Sequence, residues 1–180
     1  MSLRNVRYRL RQFWGAWRAS PSMAELEQGR EILTPEQMEL FSRMQPRDQA
    51  HSLAVMAQIR SAPEDVPEEE LHDLLVAALL HDVGKSRYPL NVWERVIIVI
   101  SEAMFPSLVQ RYGGASPQGW RKAFVIANMH PYWGAAMAVE AGATPLAVEL
   151  IREHQNSVTN EAGSVLGRLL RKLQAADNNH

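Results

Sequence analysis

Apolar side chains recur along this chain at three- and four-residue intervals, and no window alternates convincingly with a period of two. The pattern predicts an all-α fold. Residues 3 to 18 read as an amphipathic helix, with Val6, Leu10, Phe13, Trp14 and Trp17 on one side and Arg4, Arg7, Arg11 and Arg18 on another. Residues 19 to 24 read as a break before a second helix. Thr34-Pro35-Glu36-Gln37 is a helix start: a capping threonine, a proline in the first turn, and an amide three residues on that can reach back to the cap. That helix should run to about residue 44, and residues 46 to 61 form the next one. Residues 62 to 69 are acidic, punctuated by proline, and read as a loop.

From about residue 68 to residue 82 the chain is dense in leucine, valine and alanine, which predicts a buried helix. Gly84 is placed to end it. Residues 90 to 112 are helical again, interrupted at Pro106, and residues 113 to 117 form a loop. A short helix over 118 to 128 is expected to stop before His130-Pro131, where the proline would sit in the first turn of a new helix that ends at Gly142. Thr144-Pro145 opens another helix, which carries His154 near its end. The last helix spans about residues 164 to 177. The chain therefore divides into a basic amphipathic helix with its linker, residues 1 to 24, and one helical domain, residues 25 to 180.

Composition narrows the chemistry. With 180 residues, 46% of them hydrophobic, the chain can bury the core of a globular domain. A net charge of -1 gives no general attraction to nucleic acid. There is no cysteine, which excludes disulfides, iron–sulfur clusters and thiolate zinc sites; any metal must be held by nitrogen and oxygen. A cytoplasmic location fits. No stretch is long and apolar enough to span a bilayer. The best candidate, residues 96 to 100, is flanked by Glu94, Arg95 and Glu102 and reads as core or as a dimer face. The five arginines of residues 3 to 18, with no acid among them, suit an anionic membrane surface or a partner. Docking of the aromatic side on the domain is the preferred reading.

The chemistry gathers at His81-Asp82-Val83-Gly84-Lys85. Successive side chains on a helix diverge by about 100°, so His81 and Asp82 converge on one ion only beyond the helix end. Gly84 permits a close approach there. Lys85 lies one turn from His81, where an ammonium group suits a phosphate oxygen. Four more residues of ligand type surround the motif at wide intervals: His51, His130, His154 and Asp177. Four of the six histidines are thus involved, and His72 and His180 are assigned nothing. Asp177 shares a helix face with Leu170, Leu173 and Ala176, where a carboxylate must be paired or metal-bound. Plainer readings stand beside these: His130 as a helix-start residue, His154 as a cap to a helix dipole, Asp177 as a turn residue. Arg87, Arg121 and Lys122 lie near the motif and read as solvated cations before substrate ligands.

This order, His51, His81-Asp82, His130, His154, Asp177, resembles the HD superfamily of metal-dependent phosphohydrolases over roughly residues 47 to 178, and most of all its HDIG-type members. The resemblance implies the same all-α fold. It implies that His51, His81, Asp82 and Asp177 hold one divalent ion and that Asp82 bridges to a second held by His130 and His154. Iron or manganese suits such ligands best, with nickel, cobalt or zinc possible. Asp82 and Lys85 become the catalytic residues, Asp82 positioning the ions and Lys85 neutralising the phosphate. The implied reaction is attack of a metal-activated hydroxide on a phosphoester of a nucleotide or cyclic (di)nucleotide. His154-Gln155-Asn156 stands where GYP-type members carry a double histidine and a glutamate, and no Gly-Tyr-Pro occurs, which argues against that branch. The alternative is a non-catalytic, metal- or nucleotide-binding regulatory domain; the complete ligand set favours the enzyme.

Overall fold

The computed structural model describes residues 20–62, 66–88, 117–156 and 164–180. The arginine-rich helix expected over residues 3 to 18, the helical stretch over 90 to 112 and the apolar run within it lie outside the described residues. Within them there are seven α-helices and no strand: α1 (Met23–Arg30), α2 (Pro35–Ser42), α3 (Pro46–Ser61), α4 (Glu68–Leu80), α5 (Lys122–Glu140), α6 (Pro145–Glu153) and α7 (Val165–Asp177). Two 3-10 turns, Val83–Arg87 and Gly119–Arg121, complete the set. No described helix is long and apolar enough to cross a membrane.

The helix starts follow local capping chemistry. Ser22 and Glu25 form a reciprocal capping box at α1, so residues 23 and 24, read above as part of the break, lie inside a helix. Thr34 and Gln37 form the expected box at α2: the Thr34 hydroxyl accepts from the Gln37 N–H at 3.3 Å, and Gln37 Oε1 accepts from the Thr34 N–H at 3.2 Å. Thr144 caps α6 and also donates to Asp73 Oδ1 at 2.7 Å, which ties that start to α4.

Helix α4 is the centre of the domain. Every residue from Leu74 to Leu80 is buried, because α3, α6 and α7 cover it on different sides. Burial of each leucine there contributes roughly 1.5–3 kcal/mol. Phe41, Leu53, Met56, Leu150, Ile151, Leu169 and Leu173 fill the spaces around it. The site chemistry follows at the C-terminal end of this helix.

Two expectations about helix ends need correction. First, no break occurs at His130-Pro131: α5 runs continuously through Pro131. A proline inside a helix removes one N–H and leaves the carbonyl four residues back without its partner. Here that carbonyl belongs to Ala127, and His130 Nδ1 reaches it at 3.0 Å. The histidine thus supplies the donor that the proline lacks. Helix α5 does end at Gly142 as expected, in the left-handed region with φ 73°. The Gly142 N–H donates to Val139 O and the Ala143 N–H to Ala138 O, the paired bonds of a Schellman end.

Second, Gly84 does not end α4 through a left-handed backbone, since only Gly119 and Gly142 have positive φ among the described glycines. Its role is close approach. A Cβ on Gly84 would lie 2.0 Å from His130 O and 2.7 Å from Gly134 N. The 3-10 turn therefore packs backbone to backbone on α5, which sets Asp82 against His130.

Candidate metal centre

Three imidazoles are aimed by main-chain carbonyls at helix ends or beside the proline within α5. His81 follows the last residue of α4, and its Nδ1 lies 2.9 Å from Ala78 O. His154 follows the last residue of α6, and its Nδ1 lies 2.8 Å from Ile151 O. His130 Nδ1 lies 3.0 Å from both Ile126 O and Ala127 O. Carbonyl oxygens only accept, so in the neutral rings the proton sits on Nδ1 and the Nε2 lone pair points the other way. The last carbonyls of a helix have no partner inside it, which is why a histidine at a helix end finds this bond.

The lone pairs converge. His130 Nε2 and His154 Nε2 lie 3.3 Å apart, and His130 Nε2 lies 3.3 Å from Asp82 Oδ1. Two imidazole lone pairs at that distance repel unless a proton or a cation lies between them. His81 Nε2 is buried with no hydrogen-bond partner, 3.7 Å from Asp82 Oδ2 and 3.6 Å from Asp177 Oδ1. Asp82 has φ -96° and ψ 0°, a sparsely occupied backbone region, and this turn swings its carboxylate beside the His81 ring. His51 from α3 and Asp177 from the end of α7 meet at 2.8 Å, bringing together residues 126 apart in sequence.

All six residues of ligand type named from the sequence are therefore gathered. They fall into two groups, His51, His81 and Asp177, and Asp82, His130 and His154; within each group the donor atoms lie within 4.8 Å of one another. Asp82 falls in the second group and also lies 3.7 Å from His81 of the first. His81, Asp82, His130 and His154 are buried. Asp177 is more open than its apolar helix face suggested, with a side chain 33% exposed, because it is the last residue of α7 and faces His51 across the rim. The donor set fits a divalent metal: oriented imidazole Nε2 atoms, two carboxylates, and an orphaned buried nitrogen that a cation would satisfy.

Electrostatics agree with a cation site. Burial alone would raise Asp82, but Lys85, His81 and His130 outweigh it and hold the carboxylate well below its ordinary range. Burial also pushes Asp177 up, and its hydrogen bond with His51 and the nearby His81 ring more than reverse this. His154 is pushed down to about 3, first by burial and then by His81 and His130, so it is neutral and ready to coordinate. His130 is lowered, chiefly by burial. His81 moves the other way: burial lowers it, but Asp82 and Asp177 together raise it.

Lys85 lies at the lip of the cluster. Its Nζ donates to Asp82 Oδ2 at 2.6 Å, and the side chain is 26% exposed. Arg87 and Arg121 are exposed, and Arg87 lies over the rings of Tyr88 and Trp133. His72 is at the surface, as read from the sequence. Sequence reasoning missed Arg47 and Asp48. Both stand at the start of α3, where an acid ordinarily complements the helix dipole and draws no notice. Their spacing from His51, one helical turn, was the available signal.

A model of the HD domain family matches residues 49–180 of the chain. No curated protein and no solved structure matches it.

Proposed function

The chain belongs to the HD domain family of metal-dependent phosphohydrolases, and on that premise we propose that it hydrolyses a phosphoester of a nucleotide or cyclic (di)nucleotide. The observation that carries this reading is the pairing of two His/Asp groups with one lysine at their shared edge. His51, His81 and Asp177 would hold one ion, and Asp82, His130 and His154 a second. Asp82 lies between the groups and is the natural bridge. Nitrogen and oxygen donors without sulfur favour iron or manganese. When bound, such ions supply Lewis-acid neutralisation of phosphate charge and acidification of water.

The chain's own residues do the rest. The main-chain carbonyls of Ala78, Ala127 and Ile151 hold three imidazoles in their coordinating orientation, so little reordering accompanies metal binding. The hydrophobic wall behind them excludes water from the deep side and strengthens every charge interaction in the site. Lys85 offers its ammonium group to a phosphate oxygen at the open edge and offsets the charge that grows as the phosphoryl group transfers.

Elemental analysis of protein purified without chelator tests the reading, alongside bis(p-nitrophenyl) phosphate turnover. The expected result is near two equivalents of iron or manganese, lost in Asp82→Ala together with p-nitrophenol release. About one equivalent would reduce the reading to a single-ion nucleotidase. Absence of metal after reconstitution would overturn it in favour of a regulatory domain.

A further inference from the structure

Arg87 is the last residue of the 3-10 turn that carries Lys85, and it is exposed. An exposed arginine ordinarily moves freely in water. This one is held. Its guanidinium carbon lies 5.5 Å from the centre of the Trp133 ring and 5.9 Å from that of Tyr88, both within reach of a cation–π attraction. The two rings lie 5.2 Å apart and are half-buried against Ala123 and Ile126 of α5. The arginine therefore rests on a wall that the fold has built.

That wall adjoins the metal centre. Trp133 follows His130 by one turn of α5. Arg87 follows Lys85 by two residues, a rise of about 4 Å along a 3-10 turn. The turn itself is seated on this stretch of α5, since a Cβ on Gly84 would meet His130 O and Gly134 N. From one turn, Lys85 reaches Asp82 inside the centre and Arg87 reaches Trp133 beside it.

Ring contacts fix where the charge sits but offer its five N–H donors no oxygen. Among the described residues no carboxylate pairs with Arg87, whereas the Lys85 ammonium meets Asp82. A planar fork held still, with its donors open, suits a phosphate taken by two parallel hydrogen bonds. A nucleobase is a poorer occupant, because Arg87 already lies over both rings.

We infer that Arg87, held against Trp133 and Tyr88, binds a second phosphate of the substrate, one that stays intact while another is attacked at the ions. This rests on the phosphohydrolase reading above, which supplies the first phosphate, and adds that the substrate carries two. A nucleoside diphosphate or triphosphate has them adjacent; a cyclic dinucleotide has them on opposite sides of its ring. Trp133 and Tyr88 are positioning residues that act through Arg87.

Calorimetry on manganese-loaded protein tests this with three probes that resist hydrolysis: orthophosphate, methylenediphosphonate, and the bis-phosphorothioate analogue of cyclic di-AMP. Metal content is measured before and after each titration. One of the two-phosphate probes should bind at least about tenfold more tightly than orthophosphate, the size of one charge-assisted hydrogen bond. Whichever it is gives the spacing of the phosphates. Arg87→Met should lose that gain and leave orthophosphate binding and metal content unchanged. Arg87→Lys, which keeps the charge without the fork, should recover only part. Trp133→Leu should lose part of the gain, Trp133→Phe should restore it, and Arg87→Met with Trp133→Leu should be no weaker than Arg87→Met alone. Wild-type affinity for both two-phosphate probes in Arg87→Met, an equal loss for orthophosphate, or additive losses in the double variant would each overturn the inference. Should Trp133→Leu fail to fold, the exposed Arg87→Met decides alone. A wild-type protein that takes manganese but binds no orthophosphate sinks the hydrolase reading and this one together. One that binds orthophosphate and gains nothing through Arg87 from a second phosphate sinks this one alone.

Discussion

In one half of the metal centre, Asp82, His130 and His154, every side chain is buried; in the other, His51, His81 and Asp177, two of the three reach the surface. The buried half is held locally. His130 and His154 are fixed by carbonyls three or four residues earlier in their own helices, and Asp82 by the turn that Gly84 presses against α5. The open half is held at long range, by the His51–Asp177 contact between α3 and α7. The first design fixes geometry through the chain's own backbone and sets two imidazole nitrogens 3.3 Å apart. The second leaves room for a substrate to approach. A centre that must be both pre-aimed and reachable divides the two tasks between its halves.

The strongest way to break this comparison is to remove the residue between the halves. Asp82→Ala strands Lys85 and His81 in a buried site. It should cost roughly 3–5 kcal/mol of stability in denaturant unfolding, the range for breaking a buried ion pair, and empty both groups of metal. Retention of either ion would show that the halves are independent.

Gly84→Ala should come next. The new methyl group meets main-chain atoms of α5 rather than a movable side chain. A cost of about 1–3 kcal/mol is expected from overpacking. The displacement falls between Asp82 and His130, so metal should be lost from the buried group first, read as a drop from two equivalents towards one.

Acid sharpens the contrast without mutation. In chelator-treated protein, His154 is pushed down to about 3 by burial, while His81 is raised by its two carboxylates against the pull of burial. An NMR titration of the imidazoles should find His81 retaining its proton above pH 6.5 and His154 neutral until near pH 3. The signs for stability are opposite. The His154 contribution is complete above pH 6.5 and declines as pH falls towards 3. The His81 contribution is complete below pH 6.5 and declines as pH rises through its folded value. Titration of both rings near 6.5 would erase the distinction.

The smallest effect belongs to the open half. His51→Ala should change stability by less than about 1 kcal/mol, because the His51–Asp177 contact is partly solvated. It should still remove one equivalent of metal. A large loss of stability would show that the rim pair holds α7 in place.

The same division governs how much could be read from the sequence. The helices are legible because their starts carry local signals: Thr34 with Gln37, Thr144 before proline, Ser164 before α7. The continuity of α5 is not, because the rule that proline breaks a helix was met by a side chain, His130, supplying the missing donor. That compensation depends on a ring orientation no spacing encodes. The six ligand-type residues are legible as a set, since each is a rare residue type within a patterned helix. Their grouping is not, because Asp82 turns toward His130 only through the glycine contact between Gly84 and Gly134. Asp48 was invisible because acids at the start of a helix are commonplace, and its burial arises from the fold around α4.

The meeting of His51 with Asp177 has a consequence for the order in which the domain is completed. The contact spans 126 residues and requires α7 to have docked. An ion that takes ligands from both therefore closes a long loop, and its affinity is shared with the docking equilibrium of the final helix. Amide hydrogens of α7 should exchange more slowly in the metal-loaded protein than in the chelated one, while those of α4 should change little. The ion then acts as a latch between α3 and α7, and a copy with α7 undocked would lack one of its three holders.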